Sequence, residues 1–326
     1  MGYLLGIDGG GTKTTVVLAD RRGHVLACSV GGPGNYLKVG LPAVRRSFAE
    51  AIGHVLKMAG VGNGAPIDGV CAGLAGADRP RDRKIIRALL AGLINTRRIM
   101  VENDARITLI GACRGRPGVI VIAGTGSVAL GMNAAGKLVR AGGWGHVLGD
   151  EGSGYDIGRR AMMAALQSHD GRGRKTLLEL MVVKSLRLKK LEDLVTYVYS
   201  RGMPPDEVAA FYSLVVEAAR RGDAVAAHLL GKAGQDLGQA ACAVVEQLRL
   251  NDKRPIVAVS GGVFKVRGIL YRAFCACLRK AAPQSQIIEP KHPPEIGALA
   301  LLRARLDRTP VTETFNADQA PDSINS

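Results

Sequence analysis

Residues 6–14 read Gly6-Ile7-Asp8-Gly9-Gly10-Gly11-Thr12-Lys13-Thr14, after an apolar start and before the apolar run Val16 to Ala19. Consecutive glycines let the backbone come within hydrogen-bonding distance of a ligand, because no Cβ blocks the approach. Thr12 and Lys13 are phosphate-binding groups, and Asp8 is a hard oxygen ligand suited to magnesium. A Walker loop places Lys and then Ser or Thr after its last glycine and opens a helix. Here the order is Thr then Lys and a strand follows, which predicts a β-hairpin phosphate grip built on Gly10, Gly11, Thr12 and Lys13.

Working outward, Leu4 to Asp8, Thr15 to Asp20 and Val25 to Val30 read as a three-stranded meander. Helical spacing over about 41–58, a buried strand at 67–74, a helix from Pro80 and a strand at 98–101 continue as strand-helix alternation, which argues α/β. A shortened echo of the turn, Gly124-Thr125-Gly126-Ser127, follows the strand Gly118 to Ala123. An offset of 113 residues puts Thr12 on Thr125, Thr14 on Ser127, Gly23 on Gly136 and Val25 on Leu138, so two α/β domains related by internal duplication are expected. Expected boundaries are 1–115 for the first domain and 116–293 for the second, with a helical insertion at about 155–250. A last helix, 294–306, returns toward the first domain, and the polar segment 307–326 reads as a disordered tail.

Paired with the first turn, Gly124-Thr125-Gly126-Ser127 reads as an opposing jaw that holds phosphates across a cleft. Glu102-Asn103-Asp104-Ala105 ends a strand and begins a helix. Asp104 there suits either a helix cap or a base at the carboxyl end of a central strand that accepts the proton of an attacking hydroxyl. The stretch Gly142-Gly143-Trp144-Gly145-His146, followed by Gly149-Asp150-Glu151-Gly152-Ser153-Gly154, holds the chain's single tryptophan. Its glycines, carboxylates and exposed aromatic favour a ligand loop, with carboxylates ready to accept sugar hydroxyls, while Asp150 or Ser153 can also cap the following helix. Ser260-Gly261-Gly262-Val263 ends a strand before a helix, a place suited to a nucleotide. Asn35, in Gly31-Gly32-Pro33-Gly34-Asn35, offers a donor and an acceptor to a substrate or holds a turn, and Gly73-Leu74-Ala75-Gly76-Ala77-Asp78 is a loop leading to Pro80.

The net charge is +16, but the basic residues are dispersed, aromatics make up 4% and no nucleic-acid-binding signature is present, so nucleic acid is not an expected partner. The charge suits solubility and attraction of anionic nucleotides. Six cysteines lie mostly in apolar runs with no CxxC pair, as buried thiols do. No apolar stretch approaches membrane-spanning length and no signal segment is evident, which predicts a cytoplasmic protein without membrane contact.

In this order, GIDGGGTKT, GPGN, ENDA, GTGS, GGWGHVLGDEGSGYDIG and SGGV resemble the sugar kinase, actin and heat-shock ATPase superfamily. More narrowly they are similar to the N-acetylglucosamine kinase branch of the BadF/BadG/BcrA/BcrD ATPase family, over roughly 3–306. The resemblance implies two ribonuclease-H-like domains in an actin-like ATPase fold, with ATP and sugar in the cleft between them. It implies that Thr12 and Thr125 contact ATP phosphates, that Asp8 organises Mg2+ through water, and that Asp104 deprotonates the 6-hydroxyl of an amino sugar. Asn35, Ser127, Gly143, Trp144, Gly145 and Asp150 would line the sugar site, and Gly261 and Gly262 would face the nucleotide. The substrate expected is N-acetylglucosamine, with glucosamine or N-acetylmuramic acid as alternatives and a homodimer as the expected assembly. An ATPase activator of the BadF/BadG type is the other-class alternative, disfavoured because its interface cysteines are missing.

Overall fold

The structure is a computed structural model that describes residues 2–62, 64–77, 79–251 and 253–315. It divides into two compact units, one from the described residues of Met1–Pro117 and Glu289–Ser326, the other from those of Gly118–Ile288.

In the first unit, β1 (Tyr3–Gly9), β2 (Thr14–Asp20) and β3 (Val25–Gly31) form the antiparallel meander. After α1 (Tyr36–Val39) and α2 (Leu41–Met58), β4 (Ile67–Leu74) pairs parallel with β1. α3 (Pro80–Ala91) then leads to β5 (Ile99–Asn103), parallel to β4, and α4 (Asp104–Cys113) follows. The sheet order β3-β2-β1-β4-β5 is that of a ribonuclease-H-like domain. β1 and β2 are apolar on both faces, as strands covered on both sides must be. Val44, Phe48, Ala51 and Val55 of α2 are fully buried against one of those faces.

The second unit repeats the scheme. β6 (Gly118–Ala123), β7 (Ser127–Met132) and β8 (Leu138–Gly142) form its meander. The helices α5 (Gly154–His169), α6 (Leu178–Leu186), α7 (Asp193–Arg201), α8 (Pro205–Ala210), α9 (Tyr212–Arg220) and α10 (Ala224–Gln247) make up the insertion. β9 (Ile256–Ser260), a 3-10 turn Gly262–Lys265, α11 (Ile269–Ala281) and β10 (Gln286–Ile288) complete it. The sheet order, β10-β9-β6-β7-β8, is the first unit's order with equivalent strands in equivalent places. The register of the repeat is visible in the second hairpin turns. Gly23 (φ 89°) donates to Asp20 O at 3.0 Å, and Gly136 (φ 75°) donates to Asn133 O at 3.0 Å.

Three expectations are corrected. The chain re-enters the first unit at Glu289 rather than at 294, because 289–293 run beside α4, where Lys291 N–H donates to Ala112 O at 3.3 Å. The helix α12 (Pro294–Asp307) then packs on α4 and β1. The expected tail is ordered at its start: a 3-10 turn, Val311–Thr314, buries Thr314 and Phe315, and Arg114 donates to Phe315 O at 3.3 Å. The remainder, 316–326, lies outside the described residues. β5 is an edge strand, not a central one, because among the described residues nothing pairs with its outer side.

Candidate active site

In the first unit, β1, β4 and β5 are parallel, so their carboxyl ends share one rim. Gly9, Leu74 and Asn103 occupy one row across the sheet, and Asp8, Gly73 and Glu102 the row before it. Edge position therefore does not remove Asp104 from the rim; it sits about two strand spacings, roughly 10 Å, from the glycine hairpin.

The hairpin forms as expected. Gly9 pairs with Thr14, and Gly10 N–H closes the turn on Lys13 O at 2.9 Å. Thr12 and Lys13 are exposed, and the space around Gly11 is open where a Cβ would project. Two neighbouring loops are tied to the turn: Gly34 N–H donates to Gly10 O at 2.9 Å and Ala75 N–H to Gly9 O at 3.0 Å. A Cβ on Gly34 would stand 2.6 Å from Gly9 Cα, so this approach requires glycine. The side-chain oxygen of Thr14, fully buried there, has no hydrogen-bond partner. Asn35 caps α1 by accepting from Leu37 N–H at 3.0 Å, so its oxygen is engaged and its amide donor is what remains to offer. Asp78 lies outside the described residues.

Burial above all, then the nearby Glu295 and Asp104 carboxylates, push Asp8 up from 3.8 to about 7, against the pull of Lys13. Glu295, in the first turn of α12 and buried, is also raised by burial and is drawn down by its own backbone N–H and by Lys13. Sequence reading missed Glu295. Its signal was a lone carboxylate entering an apolar helix after Pro293-Pro294, which also fits an ordinary helix start. Asp104 is the first residue of α4 and does not cap it. Asn103 accepts from Ala105 N–H at 2.8 Å, and Asp104 Oδ1 accepts from the same N–H at 2.8 Å.

The second unit presents a different constellation. Its turn closes by Gly124 N–H on Gly126 O at 2.9 Å, leaving Thr125 exposed. The turn is latched to the start of α5, with Gly154 N–H on Gly124 O at 2.8 Å and Tyr155 N–H on Thr125 O at 3.2 Å. Ser127 donates its hydroxyl to Glu151 O at 2.9 Å, which commits that proton to holding the 142–153 loop. Asp150, buried and in a left-handed conformation (φ 60°), accepts from Gly145 N–H at 3.3 Å. Burial is the largest influence and raises its carboxyl group; the N–H groups of Gly145 and Ser127 and nearby His146 oppose this. The cap of α5 is Ser153, which accepts from Asp156 N–H at 3.1 Å, so Asp150 is left to the loop. Gly143 and Gly145 both have positive φ and flank Trp144, which is 66% exposed with the Arg140 guanidinium 4.6 Å from its ring centre. Gly261 (φ 100°) comes so close to Ala123 that a Cβ would lie 2.2 Å from its carbonyl oxygen, while Gly262 faces open space. Beyond them, Tyr212, Val216, Leu230, Val266 and Ile269 line an apolar recess of about 190 Å³.

A cation fits the first rim. Asp8 supplies a hard oxygen, the crowded carboxylates favour a positive charge, and open glycine backbone leaves room for phosphate. Among the described residues no three His, Cys, Asp or Glu side chains form a self-contained metal site. Magnesium needs none, because it takes one or two carboxylates together with phosphate oxygens and water.

Known proteins resemble this chain over nearly its whole length. The chain is 39% identical over 311 residues to an N-acetylmuramic acid/N-acetylglucosamine kinase of Clostridium acetobutylicum, covering 94% of this chain and all of that one. It is 31% identical over 308 residues to an N-acetyl-D-glucosamine kinase of Dictyostelium discoideum, covering 91% and 96%. A crystal structure of a proposed N-acetylglucosamine kinase from Chromobacterium violaceum superposes with a TM-score of 0.74 at 30% identity, covering 93% and 99%. The profile of the BadF/BadG/BcrA/BcrD ATPase family matches residues 5–302, and the chain belongs to that family.

Proposed function

We propose that the protein is an ATP-dependent kinase that transfers the γ-phosphoryl group to the 6-hydroxyl of an amino sugar, N-acetylglucosamine first among them. The observation that carries this reading is the shared rim of the first unit, where an open glycine hairpin with Thr12 and Lys13 stands beside Asp8 and Asp104. Its relatives named as amino-sugar kinases cover nearly the whole chain.

Each group then has one task. The backbone N–H of Gly11, with Thr12 and Lys13, binds the β- and γ-phosphates, Gly10 holds the turn in shape through its bond to Lys13 O, and Thr125 serves the nucleotide from the second unit's turn. Asp8 would hold Mg2+, and the ion would supply charge neutralisation for the phosphates. Gly261 and Gly262 carry the nucleoside end, with the neighbouring apolar recess suited to the base. Asp150 and the Gly143-Trp144-Gly145 segment receive the sugar hydroxyls, helped by the Asn35 amide. The Asp104 carboxylate accepts the proton as the sugar's O6 forms its bond to the γ-phosphorus. The bond from that phosphorus to the β,γ-bridging oxygen breaks, and ADP leaves with the electron pair. Little covalent help is required of the protein beyond orientation and charge.

The test is a panel of N-acetylglucosamine, glucosamine, N-acetylmuramic acid and plain hexoses with magnesium ATP, with sugar phosphate and free phosphate both measured. N-acetylglucosamine 6-phosphate is expected as the main product. Phosphate release without any phosphorylated sugar removes the kinase reading, and preference for another amino sugar reassigns the acceptor.

A further inference from the structure

A second basic feature of the first unit is unused by this chemistry. A cavity of about 810 Å³ lies between the edge strand β5, α3, α4 and the end of α12, and it shares no residue with those given a task in the reaction above. Seven arginines line it, on α3, before β5, on α4 and at the end of α12, against a single acid, Glu102. Glu102 is already paired with Arg106 at 3.1 Å, and Arg83 Nε donates to Ala77 O at 3.0 Å. Among the described residues Arg97, Arg98, Arg305 and Arg308 make no salt bridge, and Arg106 Nε is buried without a hydrogen-bond partner. The floor is apolar: Val101, Leu301, Leu302 and Ala304 are buried.

A guanidinium group stays charged at any working pH, so the repulsion among these side chains cannot be relieved by losing a proton. An anion relieves it, and phosphate matches the planar fork with paired hydrogen bonds. No aromatic side chain lines the cavity, so nucleic-acid bases would find no stacking surface, and the concave shape suits a compact ligand. We propose that this cavity binds a small organic molecule carrying two or more phosphoryl groups, its carbon skeleton on the apolar floor and its phosphates among the arginines. The wall at residues 99–102 runs directly into Asn103 and Asp104, which makes the occupant an effector of turnover.

Calorimetry on the full chain tests this, with the nucleotide site saturated by excess magnesium and a non-hydrolysable ATP analogue and inorganic tripolyphosphate as the probe. One tripolyphosphate per chain is expected to bind. The variant Arg97→Ala/Arg98→Ala/Arg305→Ala is expected to weaken it by about tenfold or more, the loss of a few charge-assisted hydrogen bonds, with KM for ATP and sugar unchanged. Arg308→Glu is a single-site check that weakens binding in the same direction. The site is overturned by no uptake, by uptake equal in parent and both variants, or by binding confined to a single-stranded oligonucleotide. Binding that leaves kcat unchanged overturns the effector role. Because the primary readout is binding at a saturated nucleotide site, failure here is separate from failure of the kinase reading.

Discussion

The two units use one strand order to different ends. Counted from the hairpin, Asp8 faces Thr15 across β1 and β2, while its counterpart Ile122 faces Val128 across β6 and β7. Four residues, Gly10 to Lys13, bridge the first hairpin, and three, Gly124 to Gly126, bridge the second. The first turn keeps a lysine beside a partly buried acid. The second is a neutral turn fixed by backbone bonds to the start of α5, with its carboxylate, Asp150, brought in by a separate loop. The two units carry a hairpin turn at the same place in the sheet, and the lysine and the nearby acid belong to the first of them.

The largest expected effect follows from that asymmetry. Asp104→Asn removes the proposed proton acceptor and is expected to lower kcat by about 10²- to 10⁴-fold, with KM for ATP little changed. Steady-state kinetics on purified enzyme check this, and full turnover in the variant ends the assignment of the base. The corresponding change in the second unit, Asp150→Asn, is expected to act mainly on KM for the sugar, because its carboxylate is a substrate contact under this reading.

A structural comparison within the second unit comes next. Gly261→Ala forces a positive φ on alanine and drives its Cβ into Ala123 O, whereas Gly262→Ala projects into open space. The first is expected to cost about 3 kcal/mol, from strain together with the clash, and the second well under about 1 kcal/mol. Denaturant unfolding of both variants measures the gap, and equal midpoints would show that the two glycines are interchangeable.

Asp8 also predicts a pH dependence that Ile122 cannot have. Its folded value of about 7 exceeds the ordinary 3.8, so the ligand-free folded chain holds a proton that the unfolded chain has released. That contribution is fully present below about 3.8 and is lost as pH rises to about 7. Asp8→Asn is expected to match the parent's Tm near pH 4 and to exceed it at pH 8 without ligands, while magnesium-dependent turnover falls by less than in Asp104→Asn. Thermal unfolding at the two pH values decides it; a variant less stable than the parent at pH 8 contradicts the buried charge.

Much of this was legible in the sequence because glycine runs report backbone geometry locally. The hairpin at 6–14, its echo at 124–127 and the 113-residue register all rest on short-range turn chemistry. What stayed hidden depends on distant partners. Glu295 becomes notable only when α12 packs on β1 and brings its carboxylate toward Asp8, 287 positions earlier in the chain. The edge position of β5 is set by pairing order, which an apolar strand pattern does not encode. Ser127 also holds a loop in place, because its hydroxyl proton goes to a carbonyl 24 residues away. The polar segment after Asp307 gave no periodic signal, yet Phe315 finds a buried seat beside His292.

The smallest expected effect separates the two helix caps. Asn103 caps α4 and Ser153 caps α5, each through one side-chain oxygen accepting a backbone N–H. Replacing either by alanine is expected to cost about 1 kcal/mol. Their kinetic consequences should diverge. Asn103→Ala loosens the turn that carries Asp104, so it is expected to lower kcat modestly with sugar KM held. Ser153→Ala leaves the backbone bond from Ser153 N–H to Asp150 O, at 3.1 Å, in place, so kcat should hold while any change falls on sugar KM. Paired unfolding and kinetic measurements on the two variants give equal stability losses with opposite kinetic signatures if each unit serves its own half of the reaction. Identical signatures would mean that the two constellations do not divide the work in this way.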